Sequence, residues 1–407
     1  MTHLALADDL LDLQLLRAVG SAPYGGADTG ECLAAARRVR GVNLDSWYEA
    51  WSAAATAALG TAEQEIAAGH RESARLAYWR ASTYFRTAGV MLMGTPLDHR
   101  LVETTARQAD TFQRGAALLA TPPRLVRIPY QDTTLPGYLF TPEGGQGRRA
   151  TVILTGGYDG SAEELYFANG AAALARGYTV LAFDGPGQGA ALVSQGLVLR
   201  PDWESVVTPV LDFVLARPEV DAERVALIGW SLGAHLAPRA ASVEHRLAAC
   251  VADCGSFDLF DAAVARMPGF LRQAVDAERG LRRAALHRIL LRLANRPTAG
   301  WALRRGQLVH GVSDPLEYIL ALREYSLRGR AGLITCPTLV CSAENDEISA
   351  SAPQLLAELR CPKKHLIFAD AEGAGDHCEV GARTLFHSRM FAWLDPLLRP
   401  DQQAVPR

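Results

Sequence analysis

The chain has 407 residues, a formal net charge of −3 and 49% hydrophobic residues. That length can bury a large core in one or two domains. The charge balance excludes a global attraction to nucleic acid or anionic membrane, and no uninterrupted apolar run approaches the roughly 18 residues of a membrane span.

The N-terminus lacks a basic region, and Asp8, Asp9 and Asp12 interrupt its apolar residues, which argues against a signal peptide. Residues 1–121 read as helical. Ser46-Trp47-Tyr48-Glu49 has the form of a capping box opening a helix that Gly69 stops. Further helices are predicted over 72–93 and 98–119. Pro122-Pro123 then marks a boundary, and the period changes.

Beyond it, 124–131 and 135–141 read as a hairpin around Asp132-Thr133-Thr134, followed by a Gly-rich loop over 144–149. Strand-like runs come at 151–154, 178–183, 225–228, 248–252, 338–341 and 365–368. Helical segments near 162–176, 203–217, 232–242 and 381–398 separate most of them. This alternation predicts a mostly parallel sheet covered on both faces. A helical insertion over about 257–330 breaks the alternation. Its residues 262–330 hold 13 Arg against 5 Asp and Glu, which gives either a solvated basic face or a lid that holds an anionic substrate.

Gly229-Trp230-Ser231-Leu232-Gly233 stands between the run 225–228 and a helical segment. Strand, G-x-S-x-G, helix is the context of a nucleophile elbow, with the serine hydroxyl exposed on a sharp turn. A serine needs a base, and the base an orienting carboxylate. The acid is sought past the strand 338–341, where Asp346 fits best and Glu344 competes. The base is sought past the last strand, where His377 fits better than His365 or His387. Asp376 beside it is a loop residue and the weaker alternative acid. The oxyanion hole needs two N–H donors. Leu232 supplies one, and the loop Gly156-Gly157-Tyr158 the other, through Tyr158 or else Gly157. Gly157 and Trp230 are also candidates to line the substrate pocket. The Gly-rich loop 184–189 lacks the Lys-Ser/Thr of a phosphate cradle and reads as structural.

The seven cysteines, at 32, 250, 254, 336, 341, 361 and 378, form no C-x-x-C pair. No metal or cofactor is predicted, and a reduced cytoplasm fits.

These residues resemble the α/β-hydrolase superfamily. Gly156-Gly157-Tyr158-Asp159 with Glu163-Glu164, Phe183 to Gly189, Arg200-Pro201-Asp202-Trp203, 217–221 and 237–241 narrow the resemblance. They resemble the branch with dihydroxypseudooxynicotine hydrolase, the fermentation-respiration switch protein and fungal hydrolases that shorten polyketides. Ala234 departs from a glycine common in relatives. The resemblance implies an α/β-hydrolase fold at 122–407, a helical cap domain at 1–121 and a site between them. It also implies a small-molecule carbonyl substrate and, often, a homodimer. Asp258 and Asp261 lie roughly where some relatives place an extra acid. The expected activity is a serine hydrolase cleaving a C–C bond beside a ketone, or an ester. The alternatives are acyl transfer or cyclisation, and ligand binding without catalysis.

Overall fold

The computed structural model describes residues 3–144, 147–265, 267–275 and 280–399. Gly145 and Gln146 of the Gly-rich loop, and Arg266 and residues 276–279 of the insertion, lie outside the described residues.

Five helices precede the sheet: α1 (Asp9–Val19), α2 (Thr29–Ala36), α3 (Leu44–Ala67), α4 (Arg71–Val90) and α5 (His99–Ala116). Helix α3 starts earlier than the capping box predicts. Asn43 is its cap, accepting the Ser46 N–H at 2.8 Å. The Ser46 hydroxyl instead accepts the Arg40 N–H. Helix α4 is buried along its second half, from Ala81 to Val90, because α1, α3 and α5 pack against it.

The described strands form one eight-stranded sheet: β1 (Arg124–Tyr130), β2 (Thr133–Phe140), β3 (Arg149–Thr155), β4 (Thr179–Phe183), β5 (Val220–Trp230), β6 (Ala249–Asp253), β7 (Thr338–Ala343) and β8 (Lys363–Phe368). Their order is β1-β2-β4-β3-β5-β6-β7-β8. Strand β2 runs against both neighbours, and every pair from β4 to β8 is parallel. The first hairpin is tighter than predicted. Tyr130 pairs with Thr133, so Gln131, at φ +48°, and Asp132 make the turn. Strands β4 and β6 are buried throughout, as continuous apolar runs in a doubly covered sheet must be.

Strand β3 has β4 on one side and β5 on the other. The connections leaving β3 and β5 therefore diverge. A crevice opens outside their carboxyl ends, where open α/β sheets place ligands.

Between β6 and β7 the insertion supplies helices Leu259–Ala265, Gly269–Val275, Leu281–Ala294, Trp301–His310 and Pro315–Ala321. They share an apolar cluster that includes Leu286, Leu290, Leu316 and Ile319. The Trp301 indole N–H donates to the Val90 carbonyl, joining the insertion to α4.

Candidate active site

The chain leaves β5 through Ser231 and enters helix Gly233–Ala241. Ser231 has φ +61°, a left-handed conformation that costs a residue with a side chain about 1–3 kcal/mol. Its surroundings hold it there. The Ser231 N–H donates to the Asp253 carbonyl at 2.8 Å, at the end of β6. A Cβ on Gly229 would lie 1.9 Å from the Gly233 carbonyl oxygen, and one on Gly233 would lie 2.3 Å from that of Thr155. Strand, helix and the end of β3 cross so closely that both flanking positions require glycine.

The structure brings together the serine, the acid and the base named from sequence. His377, between β8 and helix Arg383–Leu398, has Nε2 2.9 Å from Ser231 Oγ. Asp346, three residues past β7, has Oδ2 3.0 Å from His377 Nδ1, with its side chain 3% exposed. The two groups form an ion pair. Asp346 Oδ1 accepts the Ile348 N–H at 3.0 Å. Burial opposes ionisation of Asp346, but the charge of His377 outweighs it and holds the carboxyl at about 2. Burial also disfavours the imidazolium, yet the Cys378 and Asp346 contacts hold His377 well above its ordinary value.

The competitors lie elsewhere. Glu344 is exposed, and its carboxylate accepts the Asp370 N–H at 2.8 Å. Asp376 follows the loop, with Oδ1 buried and unpartnered. His365 meets Ser342 Oγ at 2.8 Å. His387 lies between the Tyr24 hydroxyl and the Ala168 carbonyl, 2.7 Å from each.

The loop after β3 presses against this elbow. A Cβ on Gly157 would stand 2.8 Å from Ser231 Cβ, 3.0 Å from its Oγ and 3.4 Å from the Leu232 nitrogen. Among the described residues, neither the Leu232 nor the Tyr158 N–H donates to a protein group. The Tyr158 ring reaches the insertion, its hydroxyl 3.0 Å from His310 Nε2. Trp230, the other candidate to line the pocket, is 4% exposed, and its indole lies near the guanidiniums of Arg17 and Arg383.

The loop 184–189 does more than turn the chain. Gln188 Nε2 donates to the Gly156 carbonyl at 2.7 Å. Asp184 accepts the Ala162 and Ala190 N–H groups; burial, with Glu163 beside it, pushes its carboxyl up to about 8. Asp258 caps its own helix through the Asp261 N–H, and Asp261 pairs with Arg328. Among the described arginines of the insertion, Arg282, Arg288, Arg292 and Arg296 are exposed, which is the solvated face. Arg305 pairs with the site loop, through Asp159.

Three features escape sequence reasoning. Asp159 is held by Arg17, Arg86 and Arg305. Arg383 fastens the histidine loop, donating to the Cys378 carbonyl and to Asp253, each at 2.8 Å. The thiols of Cys254 and Cys378 flank His377. No local pattern announces any of them, since their partners lie more than a hundred residues apart or carry no motif.

A model of the alpha/beta hydrolase family matches residues 151–384. Hydrolase LUC6 of Fusarium sp is 38% identical, covering 97% of each chain. The 20-hydroxy-prefusarin hydrolase FUS2 of Gibberella moniliformis is also 38% identical, again over 97% of each. The solved structure of 2,6-dihydroxy-pseudo-oxynicotine hydrolase superposes with a TM-score of 0.74 at 23% identity, covering 96% of this chain and 98% of that one, which shows a shared fold. Among the described residues no helix is long and apolar enough to cross a membrane.

Proposed function

The chain belongs to the alpha/beta hydrolase family and is a hydrolase, and on that premise we propose that it cleaves small polyketide-like molecules at a carbonyl carbon, with Ser231 as nucleophile. The observation that carries the reading is the 2.9 Å contact between Ser231 Oγ and His377 Nε2 on a left-handed elbow.

Ser231 attacks the carbonyl carbon while His377 takes its proton, and Asp346 stabilises the resulting imidazolium. The Leu232 and Tyr158 N–H groups receive the oxyanion. The favoured bond is a C–C bond beside a ketone. It breaks with its electron pair on the departing carbon, which leaves as an enolate and takes the proton back from His377. Water, deprotonated by His377, then attacks the acyl-serine and releases a carboxylic acid. The 38% relative named for 20-hydroxy-prefusarin supports a small natural product as substrate.

Treatment with a fluorophosphonate, read by intact mass, tests the nucleophile. Wild type is expected to gain one adduct that Ser231→Ala lacks. A panel of aryl ketones, β-dicarbonyls and esters, with products identified by mass, then assigns the bond. Substantial turnover by clean Ser231→Ala would overturn the assignment, and cleavage of esters alone would replace the C–C reading.

A further inference from the structure

Two cysteines from distant parts of the chain meet at the histidine of the site. Cys254 directly follows β6, and Cys378 follows His377. Their sulfurs are 3.3 Å apart. From His377 Nε2, Cys378 Sγ lies 3.5 Å away and Cys254 Sγ 3.9 Å; Cys254 Sγ is also 3.2 Å from Nδ1. Both thiols are fully buried. One donor atom from each of the three residues fits within 4.8 Å of the others. Tetrahedral zinc, with bonds of about 2.3 Å to sulfur and 2.0–2.1 Å to nitrogen, sets its ligands roughly 3.5–3.8 Å apart. The cluster already has nearly that spacing.

One further observation points to a ligand. Cys378 has φ +55°, a conformation that side chains rarely adopt, and Arg383 clamps its carbonyl at 2.8 Å. A strained residue held this firmly calls for a role, and a thiol beside the imidazole has none in acyl transfer through Ser231. Two thiolates and an imidazole select a thiophilic divalent cation over magnesium or calcium.

We propose that Cys254, Cys378 and His377 form a zinc site whose occupancy switches the hydrolase off. The inhibition, though not the binding, rests on the reading of His377 as the base. The His377 side chain is 23% exposed, so an ion can reach it from solvent. Binding replaces the two thiol protons, which pass to solvent, so it tightens as pH rises. An imidazole that gives its lone pair to zinc cannot accept the Ser231 proton.

The test uses the full chain, stripped of metal with a chelator, and titrates it with cobalt(II) as a spectroscopic probe. One equivalent is expected to give tetrahedral d–d bands and a thiolate-to-cobalt charge-transfer band, both erased by zinc. Zinc is expected to abolish turnover, and a chelator to restore it. Cys254→Ala is expected to keep turnover and lose both the bands and the zinc sensitivity. Cys254→Ser, closer in shape, and a circular-dichroism melt guard against misfolding. Absence of the one-equivalent bands in wild type would overturn the site without recourse to any variant. So would bands that persist in Cys254→Ala/Cys378→Ala. Bands without inhibition would overturn the switch. Ser231→Ala is expected to keep the bands. If turnover proves independent of Ser231 while the bands stand, the hydrolase mechanism fails and the metal site survives.

Discussion

A methyl group at Gly157 would lie 2.8 Å from Ser231 Cβ, whereas one at Gly156 meets nothing nearer than Leu165 Cδ1 at 3.6 Å. Gly157→Ala is therefore expected to lower kcat/KM by roughly 100-fold or more, the scale of losing an oxyanion donor. Gly156→Ala is expected to leave it nearly unchanged. Equal losses would trace the effect to general disturbance of the loop. The acid is open to the same kind of comparison. Asp346→Asn is expected to cost roughly 10³–10⁴-fold in kcat, and Glu344→Gln almost nothing, because Glu344 faces Asp370. Equal losses would move the assignment. Chain order and strand ends were enough to find Ser231, Asp346 and His377, since each follows a β-strand of the same sheet. Cys254 and Cys378 were illegible because 124 residues separate them and only the parallel pairing of β6, β7 and β8 brings them together.

At the scale of elements, the inner strands were readable because a doubly covered sheet needs apolar runs, which β3, β4 and the second half of β5 supply. Helix starts were less so. Asn43 and Ser46 both carry capping side chains, and only the tertiary path of 38–43 makes Asn43 the cap. Asn43→Ala is expected to lower stability by about 1 kcal/mol, read from the denaturation midpoint; an unchanged midpoint would remove the cap from α3. Helix Trp301–His310 carries a pH dependence of its own. Burial lowers both His235 and His310 to about 4, and their rings flank Tyr325. Above their ordinary value of 6.5 both states are neutral and nothing is lost. Below it the unfolded chain takes up protons that the folded chain refuses, so stability falls as pH drops towards 4. His310→Gln is expected to narrow the drop in melting temperature between about pH 7 and pH 5. An undiminished drop would assign it elsewhere.

At the scale of the whole molecule, the helical N-terminal segment and the sheet share side chains, which no boundary signal at Pro122-Pro123 discloses. Trp79 of α4 and Phe112 of α5 pack on Tyr166 at 5.1 and 5.6 Å, and Phe112 meets Tyr138 of β2 at 5.0 Å. Asp159 adds a polar rivet beside the site. Arg17 of α1 donates to it at 2.7 Å, Arg86 of α4 at 3.3 Å, and Arg305 of the insertion at 3.4 Å. Burial opposes its charge, but the three guanidiniums hold the carboxyl well below its ordinary 3.8. The stability it contributes is present above that value and is lost as pH falls below it. Asp159→Asn keeps the shape and leaves buried Arg86 and half-buried Arg17 and Arg305 without this partner. It is expected to cost about 3–5 kcal/mol and to flatten the acid limb of the stability profile. Because Asp159 adjoins Tyr158, kcat and the fluorophosphonate rate should fall together. A variant that lost stability but kept both rates would show that the network joins the three parts of the chain without setting the loop against Ser231.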